Sequence, residues 1–575
     1  MAAVKGLVMF VSAAAAALLA VIVFQVLNPL WRPLPWVKDS TADLVVRNAT
    51  IYTSDASIPF ADAMAVRNGR IIRVGSSAAV QDLIGYRTHV LDLGGEVILP
   101  GFIDSHVHLL FGGLQMGCVE LRVIRSQEDF VKRIKEAVQN KLPGDWILGG
   151  GWNNDVWGGD LPTSAWIDDI TGENPVWLSR MDGHMGLANS LALKIAGITN
   201  STVDPVGGTI LRTTNGEPTG LLIDSAMKVV LSVIPEISIH EKRDALIMAS
   251  KYALSKGVTT VVDMGRYFTG TTINQSWQDL SDVYRWANSA GKMMIRVCLF
   301  FPLQTWSRMV DLINENGRSL SQWIYLGGVK AFADGSLGST SALFYEPYEG
   351  EPHNYGLQVT DFNWLLNATV ESDKSGLQIA IHAIGDKAND MVLDLYDTIT
   401  SINGARDRRS RIEHAQHLLP EAISRFGVQN VIASVQPDHL LDDAVSAEKK
   451  IGMSRAQKSS YLFLSLLTGG AKLSFGSDWP VADIDPLRSI KTAMSRKLPG
   501  EETAWIPSEC VGLKDALNAY TIEAAYACFL ENEVGSLSPG KYADFVVLPA
   551  SWEELEMNIP STISATYVNG IQVFP

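Results

Sequence analysis

Two histidines one residue apart, His106 and His108, close the apolar run ILPGFIDSHVHLL. On an extended strand, residues two apart project to the same face, so both imidazoles can reach one divalent cation. A His-x-His pair alone is weak evidence of a metal site. Further candidate ligands lie far along the chain: Lys330 in GGVKAFADGS, His382 in IAIHAIGD, His414 in IEHAQH and Asp478 in FGSDWP. Taken singly, each has a plain structural reading. His414 could be a hydrogen-bonded core histidine, Lys330 an ion-paired lysine, and Asp478 a helix N-cap before Trp479-Pro480. Taken together, imidazoles and a carboxylate point to metal-activated hydrolysis, in which a cation acidifies water and polarises a carbonyl.

The elements that must position these residues are read from the hydrophobic pattern. Eight apolar, β-branched runs, at 97–103, 258–262, 295–300, 325–332, 377–381, 411–414, 431–435 and 473–476, are each followed by a stretch able to hold a helix. Apart from the first gap, the spacing is that of βα units. The predicted fold is therefore α/β, a (β/α)8 TIM-type barrel spanning 97–535. Every candidate ligand sits at a strand's C-terminal end, where barrel enzymes place catalysis. The stretch 110–253 is too long for one crossover and is read as an inserted substrate subdomain. Its segments GGGWNNDVW, LSRMDGHMGLAN and DPVGGTILRTTNGEPTG are loop-forming, with Trp152, Asn153 and Asp155 as candidate pocket residues. Alternating strands at 42–96 and again at 536–575, the latter with a hairpin signal at Asn569-Gly570, predict a small β-sandwich built from both chain ends.

These segments resemble the amidohydrolase superfamily, specifically its family 3, the YtcJ-like metal-dependent hydrolases. The resemblance covers about 43–573. It rests on LPGFIDSHVHL, GHMGLANSLAL, DPVGGTI with GEPTGLL, GVTTVVDMG, VKAFADGSLGSTSA, IHAIGDKA, RIEHAQ, FGSDWPV, TIEAAYA and VGSLSPGKYADFVVL, in that order. It implies that His106, His108, His382, His414 and Asp478 hold one or two divalent ions, zinc or similar. Lys330 falls where binuclear members carry a carboxylated lysine that bridges two metals. Asp478 would act as general base and then general acid, and His184, in SRMDGHMG, would steady the oxyanion. The implied substrate is a small molecule with a non-peptide C–N bond: an amide, formamide or cyclic amide. The glycine-rich GSLGST at 335–340 lacks the GxxxxGK[ST] arrangement of a phosphate loop and is read as an active-site loop.

Composition narrows the alternatives. A formal charge of −15 spread over 575 residues, without basic clusters, excludes a nucleic-acid partner. The four cysteines are far apart and form no CxxC pair, which leaves them as structural thiols. The run 6–24, extending to Leu27, is uncharged and apolar and long enough to cross a bilayer core of about 30 Å. It is read as a signal anchor (1–27) followed by a Pro/Trp stalk, NPLWRPLPW, within 28–41. That reading places the protein on a membrane of the endomembrane system, ER or perinuclear, or outside the cell if the segment is cleaved. The competing function is a membrane-tethered signalling or scaffold protein that kept the fold without turnover.

Overall fold

The computed structural model describes residues 41–575 apart from 140, 158, 182–184, 206–207, 225, 267–272 and 339. The expected anchor, the stalk up to residue 40, and His184 lie outside the described residues. Among the described residues, no helix is long and apolar enough to cross a membrane.

Eight parallel strands form a nearly closed barrel: β1 (Phe102–Val107), β2 (Val258–Asp263), β3 (Arg296–Pro302), β4 (Ile324–Phe332), β5 (Gln378–Ala383), β6 (Arg411–His414), β7 (Ile432–Val435) and β8 (Lys472–Phe475). All but the first residue of β8 and the last of β4 are buried. A strand covered by helices outside and packed side chains inside has no solvent face, so it reads as an unbroken apolar run. The covering helices show the matching pattern. Helix Asp386–Asn403 buries Ala388, Val392, Leu395 and Ile399, three or four apart, and stops at Gly404, whose φ of 78° suits glycine.

The first run of the sequence splits in two. Val97–Pro100 belongs to a different sheet, antiparallel to Phe545–Leu548 and beside Leu44–Tyr52. The chain then passes Gly101, where a Cβ would lie 2.3 Å from Thr259 Oγ1, and only afterwards becomes β1. The barrel thus starts at Phe102, not at residue 97. His106 lies inside β1 and His108 just beyond it, ahead of helix Leu109–Met116.

The sheet that takes Val97–Pro100 joins both chain ends, in the order Ile571–Phe574, Ala565–Val568, Phe545–Leu548, Val97–Pro100, Leu44–Tyr52, Phe60–Arg67, Arg70–Gly75, with His89–Asp92 also on Leu44–Tyr52. The last hairpin turns at Asn569 and Gly570, with φ of 53° and 71°, the geometry of a tight two-residue loop. Arg296, the first residue of β3, fastens this sheet to the barrel through a buried pair with Asp544 at 2.8 Å.

Between β1 and β2 lies a six-stranded sheet made from Val119–Glu120, Ile147–Trp152, Val176–Arg180, Met185–Ala188, Gly208–Arg212 and Pro218–Asp224. The chain returns to β2 along helix Ile239–Ser255, which opens with a reciprocal Ser238/Glu241 capping box. That helix crosses Leu109–Met116 so closely that a Cβ on Gly113 would lie 2.3 Å from Ala245 O. Trp152 is fully buried in the inserted sheet and donates to Leu178 O at 2.8 Å. It is a packing residue and not a pocket residue, because burial there leaves no face for a substrate. Asn153 accepts from Arg180, and nothing is described for the Asp155 side chain.

Candidate metal centre

The seam that closes the barrel also assembles the site. Val107 bridges to Trp479, His108 N donates to Trp479 O at 2.8 Å, and Asp478 N donates to His106 O at 2.7 Å. These backbone bonds bring the end of β1 against the segment after β8, so residues some 370 positions apart share one spot. Asp478 and His414 both have positive φ, 57° and 79°. Such conformations are costly for side chains of this kind and persist where surrounding structure enforces them, commonly at functional sites.

At the barrel mouth Nε2 of His106 and Nε2 of His108 face the same oxygen, Asp478 Oδ1, at 3.4 and 3.2 Å. His414 joins them: one ligand atom each from His106, His414 and Asp478 lie within 4.8 Å of one another. His382 packs edge-on against His414, with ring centroids 4.6 Å apart. Lys330, two residues before the end of β4, is buried with Nζ 4.7 Å from the Phe332 ring centroid.

The second ring nitrogens decide what the first can do. His106 Nδ1 lies 2.7 Å from Glu413 Oε2, His108 Nδ1 2.5 Å from Gly265 O, and His414 Nδ1 2.8 Å from Gln436 Oε1. All three partners accept, so each Nδ1 carries the proton and each Nε2 keeps its lone pair. His382 is reversed: Nε2 donates to Gly335 O at 2.9 Å and Nδ1 is left as the acceptor. Lone pairs aimed at a carboxylate oxygen need a positive charge between them. Asp478 Oδ1 is buried without a hydrogen-bond partner among the described residues. Separations of 3.2 to 3.4 Å match the roughly 3.3 Å edge of a tetrahedron with metal–ligand bonds of about 2.0–2.1 Å. The residues therefore fit a divalent cation.

Protons on the imidazoles are not the alternative source of that charge. Burial, with the Lys330 charge nearby, brings His106 down to about 4 against the pull of Asp478 and Glu413. Burial and Lys330 bring His382 down to about 3, and burial with His382 beside it holds His414 well below the ordinary imidazole value. These three rings are neutral at physiological pH, as metal ligands must be. Burial also pulls Lys330 down, to about 8, while Glu413 and Asp478 oppose the shift. Glu413 is itself buried, and Arg411 at 2.7 Å holds it ionised.

Five supporting residues escaped the sequence reading. Glu413 precedes His414 on β6, and strand alternation assigns neighbours to opposite faces. The positive φ of His414 breaks that alternation, so both serve the centre. Gln436 orients His414. Asp334, raised by burial to about 7, accepts from the backbone N–H of Leu343, Ile384 and Gly385 and so ties the loops after β4 and β5 together. Asp104, also raised by burial to about 7, receives Ser477 Oγ and the backbone N–H groups of His106 and Ser477. His439, after β7, has Nε2 4.0 Å from Asp478 Oδ2. The DG of FADGS and the RIEH and QPDH segments were visible signals, though none carries a ligand spacing.

An eight-stranded parallel barrel with a His-rich centre for a divalent metal at its C-terminal mouth defines a class of hydrolases. Residues 89–574 match the amidohydrolase family, and the chain belongs to it. It is 59% identical over 571 residues to the protein LONG AFTER FAR-RED 3 of Arabidopsis thaliana, covering 98% of each chain. It is 28% identical over 557 residues to an N-substituted formamide deformylase of Arthrobacter pascens, covering 92% of this chain and 98% of that one. The crystal structure of a metal-dependent hydrolase from Pyrococcus horikoshii superposes with a TM-score of 0.71 at 27% identity, over 88% of this chain and 97% of the other.

Proposed function

We propose that this amidohydrolase cleaves a non-peptide C–N bond of a small amide, formamide or cyclic amide. The observation that carries the reading is the set of imidazole Nε2 lone pairs converging on the unpartnered Asp478 Oδ1. The formamide deformylase of Arthrobacter pascens, similar along nearly its whole length, supports the choice of bond.

His106, His108, His414 and Asp478 would hold a divalent ion, with His382 joining through Nδ1. Such an ion, zinc or similar, supplies Lewis-acid activation of a carbonyl and of water. Asp478 Oδ2, turned away from His106 and His108, takes the proton of the attacking water and later returns it to the leaving nitrogen. Glu413, Gly265 and Gln436 fix the three rings so that no reorientation accompanies the reaction. Lys330 Nζ meets no hydrogen-bond acceptor among the described residues, and in this reading it is carboxylated, which replaces a cation by an anion beside the centre. His184 retains the role of steadying the oxyanion as part of the same proposal. The run at 6–27 tethers the enzyme to an endomembrane; this part of the reading rests on the sequence pattern alone.

The test is metal content by mass spectrometry, with turnover of a panel of formamides and N-acyl compounds, for the chain from Thr41 onward and for His106→Ala/His108→Ala. One or two equivalents of metal, lost together with turnover in the double variant, are expected. A folded wild-type domain that neither holds nor takes up metal would sink the hydrolase reading and leave a membrane-tethered scaffold. Fractionation of the full chain against the Thr41 form checks the tether: full-length protein in the soluble fraction would remove it.

A further inference from the structure

The segment GVTTVVDMG carries β2, whose last residue is a buried carboxylate that the proposed chemistry does not use. Asp263 is 3% exposed, and its two oxygens are engaged by three donors among the described residues. Oδ1 accepts Leu109 N at 3.3 Å and Gly265 N at 3.0 Å, while Oδ2 accepts the Tyr284 hydroxyl. The first two donors bracket one candidate ligand. Leu109 directly follows His108, and Gly265 carries the carbonyl that receives His108 Nδ1–H at 2.5 Å. That carbonyl can only accept, so the hydrogen bond itself assigns the proton to Nδ1 and the lone pair to Nε2. On the other side of the histidine, Val107 O accepts Met264 N at 2.8 Å. Asp263, Met264 and Gly265 thus hold the residue after His108, the residue before it and the ring.

The grip on Asp263 comes from a helix with one irregular turn. Gln275–Asp279 and Arg285–Ser289 are α-helical, but Leu280–Tyr284 between them is a π turn, closed by i→i+5 hydrogen bonds. Asp279 and Tyr284, five residues apart, would face about 140° apart on a regular α-helix. The wider turn brings both onto the segment after β2. Tyr284 takes Asp263, and Asp279 takes Arg266 Nε and Nη2 at 2.6 and 2.7 Å. Single π turns of this kind are rare and concentrate at functional sites.

We propose that Asp263 is a positioning residue for the His108 arm of the metal centre, fixing with one oxygen both the backbone that carries the imidazole and the carbonyl that orients it. The inference rests on the metal-centre reading above and not on the identity of the bond cleaved. A ligand nitrogen must keep its distance to a cation within about 0.2 Å, and a ring whose Nδ1 partner drifts loses that aim. Tyr284 acts one step further out, by holding Oδ2.

The experiment loads the full chain with cobalt(II) and follows its visible absorption and its cobalt affinity, the latter by competition with a chelator. Asp263→Ala should bind cobalt about 10- to 100-fold more weakly and with an altered spectrum. Asp263→Asn, which keeps an oxygen for both N–H groups, should restore the wild-type spectrum and most of the affinity. Tyr284→Phe should show the Asp263→Ala change in smaller measure. Asp279→Asn loosens the same segment at Arg266 without touching Gly265 N–H, and should lower thermal stability while cobalt affinity and spectrum stay as in wild type. An equal loss of affinity in Asp279→Asn overturns the inference, because rigidity of the segment alone would then account for it. So does unchanged cobalt binding in Asp263→Ala or, if that variant does not fold, in Tyr284→Phe. In those cases a wild type that binds cobalt keeps the metal-centre reading; a wild type that takes up none removes both. The expected series in an enzyme that cleaves no amide supports the Asp263 role and counts against the hydrolase reading.

Discussion

Two arginine–carboxylate pairs are buried in this molecule, and they are nearly the same object in different regions. At the barrel mouth Arg411 grips Glu413 at 2.7 and 3.2 Å; where the barrel sits on the end sheet, Arg296 grips Asp544 at 2.8 and 3.1 Å. None of the four side chains is more than 3% exposed. The third partner differs. Glu413 passes its second oxygen to His106 Nδ1, whereas Asp544 Oδ1 accepts Asn569 N at 2.8 Å and so shapes the final hairpin. Arg296 Nη1 is capped by Gln322 O, while Arg411 Nη1 has no hydrogen-bond partner among the described residues. The same pair is thus a support for a reactive ring in one region and a rivet between sheets in the other, and incomplete pairing is found on the functional side.

That distinction can be broken by substitution. The largest effect is expected from Asp544→Ala, which leaves the Arg296 charge buried and uncompensated. The loss should be about 3–5 kcal/mol of unfolding free energy in urea, with metal affinity of the folded fraction unchanged. A parallel loss of metal affinity would mean that the rivet also sets the geometry of the mouth. Next comes Glu413→Gln, which keeps the shape but weakens the hold on His106. Metal affinity, followed by competition with a chelator, should fall about 10- to 100-fold. If affinity is unaltered, the tie between Glu413 and His106 is only structural.

A third buried group sharpens the contrast because it carries no ligand role. His417 is enclosed, with Nδ1 2.8 Å from Ser460 Oγ and Nε2 receiving Gln416 Nε2 at 3.2 Å, so both nitrogens are satisfied. Burial, with the Arg455 charge adding to it, pushes this ring down to about 3. The unfolded chain takes up a proton here as pH falls below about 6.5, and the folded chain does not until about pH 3. The stability permitted by the neutral ring is therefore full above that upper value and declines as the medium is acidified. His417→Asn should flatten stability against pH over the interval from about 6.5 to 4, by at most about 1.4 kcal/mol per pH unit. An unchanged slope would show that the ring already takes its proton in the fold.

The same contrast explains what could be read in advance. The barrel was legible because strands such as Val258–Asp263 and Gln378–Ala383 are buried on both faces and show as apolar runs. The candidate ligands were legible because they end those runs. The join at Pro100-Gly101 was not, since VILPGFID is one hydrophobic stretch whether it belongs to one sheet or two. Nor were the ring partners: Gly265 O and Gly335 O are backbone atoms, and Glu413 is masked by the alternation that His414 breaks. Trp152 was open to either reading until its burial placed it in the inserted core.

The smallest expected effect separates backbone from side chain at the rivet. Asn569 sits at φ 53° and its Oδ1 takes Arg296 Nη2 at 2.5 Å. Asn569→Gly keeps the conformation and removes the side-chain bond; Asn569→Ala removes the bond and also strains the turn. The difference between the two variants isolates the cost of a Cβ in the left-handed region, about 1 kcal/mol, with alanine the less stable. Both should bind metal as the wild type does, because Arg296 keeps Asp544 and nothing at the mouth is touched. Equal stability of the two would mean that the hairpin relaxes around alanine, and that Asp544, rather than the turn, holds the end sheet to the barrel.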